Sequence, residues 1–218
     1  MRFPEFLKKN GTIGFVAPSF GCNREPYKTS FEHALEKFHS MGYQTTLGPN
    51  CFEGSGIGIS NTPEKCAAEL NKMYLSDEAD AIISCGGGEL MCEILDDVDF
   101  DAIKAAKPKW YMGYSDNTNF TFLLTTICDV ASIYGPCAGT FGMEPWDESI
   151  EDCFSLFTGK KLTMQSYQFW EKEGLRDEEH PLEPYNLTEQ SLVRSFMTKK
   201  DQAGEVQAFE EPLNLRAD

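Results

Sequence analysis

Histidine is scarce in this sequence: of 218 residues, three carry an imidazole, and His33, His39 and His180 lie too far apart to spell a zinc motif. No metal or cofactor is expected. Basic residues are also short, with 19 Lys and Arg against 35 Asp and Glu and a formal charge of −16. A surface of that sign repels phosphate backbones and anionic lipid, and no Lys/Arg-rich stripe reverses it locally, so nucleic acid is not expected as a partner. No apolar run approaches the length of a membrane span, and residues 1–10 lack the continuous apolar stretch of a signal peptide. The expectation is a soluble, cytoplasmic chain with no membrane partner. Cysteine is not scarce, but Cys22, Cys51, Cys66, Cys85, Cys92, Cys128, Cys137 and Cys153 are scattered and form no C-x-x-C pair. Reduced thiols fit that pattern better than a disulfide framework.

What is present is an alternation of short apolar runs and amphipathic stretches. Residues 12–17 read as a buried strand ended by Pro18, and residues 43–47, 80–85, 110–113 and 131–134 read as four more. Between the first two strands, Phe31, Ala34, Leu35, Phe38 and Met41 share one helical face, with Gly42 placed as the C-cap. Thr62-Pro63 supplies an N-cap and a first-turn proline for a helix to about residue 75, burying Cys66, Leu70, Met73 and Tyr74. Helices are also predicted over 89–95, 100–106, 117–128 and 148–158, the last capped by Gly159. Strands alternating with helices predict an α/β protein with a doubly wound, mostly parallel sheet. Beyond Gly159 the pattern fades into acidic, irregular sequence interrupted by Trp170, Pro181, Pro184 and Pro212. Two regions are therefore expected: 1–165, an α/β nucleophile-bearing domain, and 166–218, an acidic linker with a truncated or divergent start of a second, C-terminal domain.

In a doubly wound sheet ligands bind at the carboxyl ends of the strands, and two features fall on that rim. One is Gly113-Tyr114-Ser115-Asp116, which places a serine on a tight turn between a strand and a helix. A serine so placed projects Oγ above the sheet edge, and the amide that follows it can hold a developing oxyanion. The other is Gly86-Gly87-Gly88, whose bare backbone lets amide N–H groups approach a substrate oxygen. Each has a plainer reading. Ser, Asp, Asn and Thr at 115–118 are also N-capping residues, and glycines after a strand also mark simple tight turns. Asn117 stands where G-x-S-x-G would have its second glycine.

Other candidates are weaker. Cys85 stands at a strand end as a possible thiol nucleophile, although a buried strand cysteine is the commoner case. Gly54-Ser55-Gly56-Ile57-Gly58 fails the dinucleotide-binding pattern and reads as a flexible loop. His33 and His39 belong to the first long helix, and His180 to an acidic loop. No histidine lies near Ser115 in sequence, so the nucleophile comes without an evident base.

The segment from Thr12 to Ser19, the run Ala81 to Gly88, the Gly113-Tyr114-Ser115-Asp116 turn and Tyr134-Gly135-Pro136 resemble, in order and spacing, the N-terminal domain of the LD-carboxypeptidase family of serine peptidases, which includes the microcin immunity proteins. The likeness runs over roughly residues 10 to 165. It implies Ser115 as the catalytic nucleophile, with the amide of Asp116 and one from Gly86 or Gly87 as the oxyanion hole. It also implies hydrolysis of the amide joining an L residue to a carboxyl-side D residue in murein tetrapeptides, or of a related amide in a peptidyl-nucleotide. The partner is then a small peptide, and the chemistry uses no metal or organic cofactor. The family completes a Ser-His-Glu triad from a C-terminal domain, and the sequence after Gly159 offers no match to the opening of that domain. The chain is expected to be a fragment or a truncated product with a divergent tail, with little turnover of its own. A non-catalytic module binding peptide or nucleotide-peptide is the alternative, and a homodimer would cover apolar surface left at a truncated interface.

Overall fold

The computed structural model describes residues 1–192, 195–200 and 202–211, without the side chains of 195–197 and 207–211. The breaker Pro212 lies outside the described residues. Two compact units result, one comprising Met1–Gln165 with Gly174–Tyr185, the other Ser166–Glu173 with Asn186–Asp218.

The first unit holds five parallel strands, β1 (Thr12–Val16), β2 (Gln44–Leu47), β3 (Ala81–Ser84), β4 (Tyr111–Gly113) and β5 (Ile133–Tyr134), in the order β2-β1-β3-β4-β5. The chain runs outward from β1 to β2, then crosses back to place β3 on the other side of β1. That reversal is the switch point at which ligands of such sheets bind. Helices α1 (Tyr27–Ser40), α2 (Pro63–Leu75), α3 (Phe100–Ala105), α4 (Thr118–Thr126) and α5 (Glu148–Phe157) make the connections and cover the sheet.

The inner strands β1, β3 and β4 are apolar on both faces because both are covered, whereas the edge strand β2, Gln-Thr-Thr-Leu, has no fully buried residue. Their period of two sorts the core into halves. Ile13, Phe15, Ala17, Ala81, Ile83, Trp110, Met112 and Ile133 pack with Phe31, Ala34 and Phe38 of α1 and Phe154 and Phe157 of α5. The intervening Val16, Ile82, Tyr111 and Val130 pack with Leu70, Met73 and Tyr74 of α2 and Phe120 and Leu124 of α4. Each large side chain so buried contributes about 1.5–3 kcal/mol. Gly14 is needed on the second face, where a Cβ would lie 2.7 Å from Ala79 Cβ and from Met73 Sδ.

Local differences from the sequence reading have local causes. Gly42 and Gly159 do cap α1 and α5, at φ 88° and 72°. The turn predicted as a helix over 89–95 is a 3-10 helix, Met91–Asp97, that buries Met91 and Ile94. Met41 falls one residue past α1 and is exposed, because the cap turns the chain away. In the second unit, where sequence periodicity is lost, β6 (Phe169–Trp170) pairs antiparallel with β7 (Glu189–Gln190), and β8 (Ser195–Lys200) with β9 (Val206–Glu211). Trp170 thus lies in a strand rather than between elements. Among the described residues no helix is long and apolar enough to cross a membrane.

Candidate active site

Ser115 follows β4 after one extended residue and opens a 3-10 turn, Ser115–Asn117, that leads directly into α4. It is exposed, and its φ is 60°. A left-handed backbone at a residue with a Cβ costs on the order of 1–2 kcal/mol, so the surrounding contacts must impose it. They do so from three sides. Buried Asn117 donates from Nδ2 to the carbonyls of Gly86 (2.9 Å) and Tyr114 (3.1 Å), and its Oδ1 accepts from the Tyr111 hydroxyl at 2.6 Å. The Thr118 hydroxyl donates to the Ser115 carbonyl at 2.6 Å, and the Ser115 amide donates to the Tyr134 hydroxyl at 3.3 Å. Gly113 is what admits Asn117: a Cβ there would lie 2.7 Å from Asn117 Cγ. The residue that departs from G-x-S-x-G is therefore the brace of the turn.

The triple glycine meets this elbow. An ideal Cβ on Gly87 would lie 3.2 Å from Ser115 Cβ and 3.4 Å from its Oγ, so the two turns touch at the serine hydroxyl. Gly88, at φ 150°, has no room for a side chain because the Ser19 hydroxyl occupies that space. The Gly87 carbonyl accepts from the Phe20 amide at 2.8 Å, and the Gly86 carbonyl also accepts from the Ser84 hydroxyl at 3.0 Å. Among the described residues the amides of Gly86, Gly87 and Asp116 donate to nothing. Unused donors on both turns that flank one exposed hydroxyl are the raw material of an oxyanion site.

The Asp116 carboxylate is committed elsewhere. Its Oδ2 accepts from the Ser19 hydroxyl at 2.5 Å and the Met91 amide at 2.8 Å, and its Oδ1 from Asn119 Nδ2 at 2.9 Å. It ties the end of β1 and the turn after β3 to the elbow. One layer further in, Glu69 of α2, only 4% exposed, accepts from the amides of Ala17 and Asn50, each at 2.8 Å. Burial raises its pKa, against the pull of those two amides.

No histidine joins Ser115. His33 Nδ1 lies 2.8 Å from the Gly142 carbonyl, His39 Nε2 lies 2.8 Å from the Thr45 hydroxyl, and His180 Nδ1 lies 3.0 Å from Asp177 Oδ1. Cys85 is buried, and burial together with the hydrogen-bonding thiols of Cys22 and Cys51 pushes its pKa well up. A thiol held protonated in this way is a poor nucleophile. Sequence reading had no signal for the Ser19–Asp116 contact or for Tyr134 at the Ser115 amide, since both join segments distant along the chain. Ser19 and Tyr134 were visible only as members of ordered motifs.

Fold and site together define a class: an α/β protein with an exposed, left-handed serine on a strand-to-helix elbow at the carboxyl edge of a parallel sheet. The family follows from comparison. The LD-carboxypeptidase N-terminal domain matches residues 13–135, and the chain belongs to that family. A probable murein peptide carboxypeptidase of Bacillus subtilis (strain 168) is 29% identical over 140 residues, 63% of this chain and 41% of that protein. The microcin C7 self-immunity protein MccF of Escherichia coli is 30% identical over 169 residues, 76% of this chain and 48% of that protein. The chain spans about half the length, or less, of these curated relatives. Among solved structures, MccF in complex with aspartyl sulfamoyl adenosine superposes with a TM-score of 0.77 at 25% identity, over 90% of this chain and 59% of that one.

Proposed function

We propose that this chain is the nucleophile-bearing part of a serine-type carboxypeptidase that cleaves an L,D-peptide bond in a murein-derived peptide. Ser115 Oγ attacks the scissile carbonyl as its proton passes to a base. The resulting oxyanion is received by the Asp116 amide and by Gly87 or Gly86. Collapse expels the amine of the D residue and leaves an acyl-serine, which water hydrolyses. The base and its carboxylate partner are assigned to residues outside this chain, because none of the three histidines hydrogen-bonds Ser115. The setting is cytoplasmic, where eight thiols stay reduced.

The observation that carries this reading is the left-handed, exposed Ser115 against Gly87, a strained turn braced by Asn117. Strain maintained at a solvent-reachable hydroxyl points to function rather than to packing. Without a triad base, turnover falls by about 10⁴–10⁶, so the 218-residue chain alone is expected to hydrolyse little. The test compares murein tetrapeptide hydrolysis by this chain with a form that also carries the family's second domain. Release of the terminal D residue by the longer form, abolished by Ser115→Ala, is the expected result. Equal and robust activity of the short form would place the base within these residues and overturn that part of the proposal.

A second reading has its own support in the 30%-identical MccF, solved in complex with aspartyl sulfamoyl adenosine. On that reading the same serine cleaves the amide of a peptidyl-nucleotide. Binding of tetrapeptide without any product, by both forms, would instead favour a non-catalytic module.

A further inference from the structure

An oxyanion hole assembled from two turns works only while its donors keep a fixed separation and aim. One donor here, the Asp116 amide, lies on the 3-10 turn Ser115–Asn117, and the glycine donor lies on the turn after β3. Among the described residues one side chain bonds both turns directly. Asn117 ends the serine's turn, is fully buried, and reaches across to the Gly86 carbonyl at 2.9 Å while holding the Tyr114 carbonyl at 3.1 Å. Carbonyl oxygens only accept, so the atom facing both is Nδ2, with one hydrogen for each. The buried Tyr111 hydroxyl donates to Oδ1 at 2.6 Å and keeps the amide that way round.

A trans peptide unit is planar, and its C=O and N–H point in opposite directions. A donor seated on a carbonyl therefore aims the amide of the next residue. Tyr114 shows this: its carbonyl turns inward to Asn117, and the Ser115 amide points the other way, to the exposed Tyr134 hydroxyl at 3.3 Å. At Gly86 the carbonyl is held by Asn117 and, at 3.0 Å, by the buried Ser84 hydroxyl, so the Gly87 N–H points away from both. Among the described residues that N–H donates to nothing, and a Cβ on Gly87 would lie 3.4 Å from Ser115 Oγ. The Phe20 amide, seated on the Gly87 carbonyl, sets only the peptide plane beyond it. Two donors on the Gly86 carbonyl also polarise its peptide and strengthen the N–H on the far side.

We propose that Asn117 is the positioning residue of this oxyanion hole, aiming the Gly87 N–H at the oxygen that becomes negative when Ser115 attacks. The inference rests on the hydrolase reading of Ser115. Asn117 touches no substrate. It acts through the Gly86–Gly87 peptide, and Tyr111 acts through Asn117.

The test uses Asn117→Ala, with Tyr111→Phe as a milder variant that keeps the amide and frees its orientation. The full chain, labelled with 15N-glycine, is reacted to completion with a fluorophosphonate, whose phosphoryl oxygen on Ser115 then stands where the oxyanion would. The Gly87 amide proton should move downfield on reaction in the parent, less in Tyr111→Phe, and not at all in Asn117→Ala. In a form that also carries the family's second domain, Asn117→Ala should lower kcat for murein tetrapeptide roughly ten- to a hundred-fold while KM changes by less than about threefold, and Tyr111→Phe should lower kcat less. A brace with no part in aiming the amide would lower the thermal midpoint of both variants and leave the downfield shift in place, and that result overturns the proposal. So does a parent in which the Gly87 proton does not move, or a loss confined to KM. If Asn117→Ala does not fold, Tyr111→Phe carries both readouts. Failure of the hydrolase reading shows separately: an Asn117-dependent shift in the phosphonylated chain, with a longer form that never releases the D residue, keeps the positioning and removes the substrate. A Ser115 that takes up no fluorophosphonate in either form overturns both.

Discussion

Ser115 adopts a backbone conformation that its own side chain disfavours, and that conflict can be measured. Replacement by glycine removes the Cβ that makes φ 60° costly. Ser115→Gly should therefore raise stability by about 1 kcal/mol in a denaturant titration while abolishing reaction with a serine-directed fluorophosphonate. Gly113→Ala should do the opposite, lowering stability by about 1–3 kcal/mol, because its methyl meets the Asn117 side chain at 2.7 Å. If Gly113→Ala is as stable and as reactive as the parent, Asn117 is not the brace described here. Cysteine reactivity separates the serine reading from a thiol one. Cys92 is exposed while the other seven cysteines are buried, and burial pushes Cys137 and Cys153 up to about 12. Iodoacetamide on the native chain should alkylate Cys92 and leave Cys85 intact, as read by peptide mass after quenching. Modification of Cys85 with matching loss of activity would revive it as a nucleophile.

Single elements hold the rim in place, and α2 does so through a charge. Glu69 ties it to the end of β1 and to the loop after β2. Its folded pKa is raised, so the folded state holds the proton more tightly than the unfolded one. Its contribution to stability is then fully present below the ordinary carboxylate range and is lost as pH rises through the raised value. The stability of the parent relative to Glu69→Gln should therefore fall as pH rises from the ordinary carboxylate range through that raised value, followed by thermal melting in matched buffers. A difference that grows with pH would reverse the assignment. Elements also differed in how legible they were. The amphipathic stripe Phe31, Ala34 and Phe38 announced α1, and Thr62-Pro63 announced the start of α2, because those signals are local. The 3-10 character of Met91–Asp97, within the helix predicted over 89–95, and the paired strands of the second unit were not legible. Short elements carry too few residues to establish a period, and β8 and β9 gain their definition from each other.

At the scale of the whole molecule, two half-cores on opposite faces of one sheet make the first unit cooperative. Phe38 touches the rings of Phe15, Phe141, Trp146 and Phe154, so Phe38→Ala should cost about 3–5 kcal/mol and lower the melting temperature without touching the rim. A loss below about 1 kcal/mol would mean that this half-core relaxes to fill the space.

The sequence by itself determined the parallel α/β class, the choice of Ser115 and the triple glycine, and the family. All of these rest on signals within short windows: period-two and period-3.6 apolar patterns, turn residues, and motifs in order. Tertiary structure alone decided that Gly87 and Ser115 touch, that Asn117 replaces a glycine as a brace, that the Asp116 carboxylate is tied to Ser19, and that Arg176 stands by Tyr27. Those pairs are joined by a sheet whose strand order differs from chain order. Only closure of the fold brings such distant residues together.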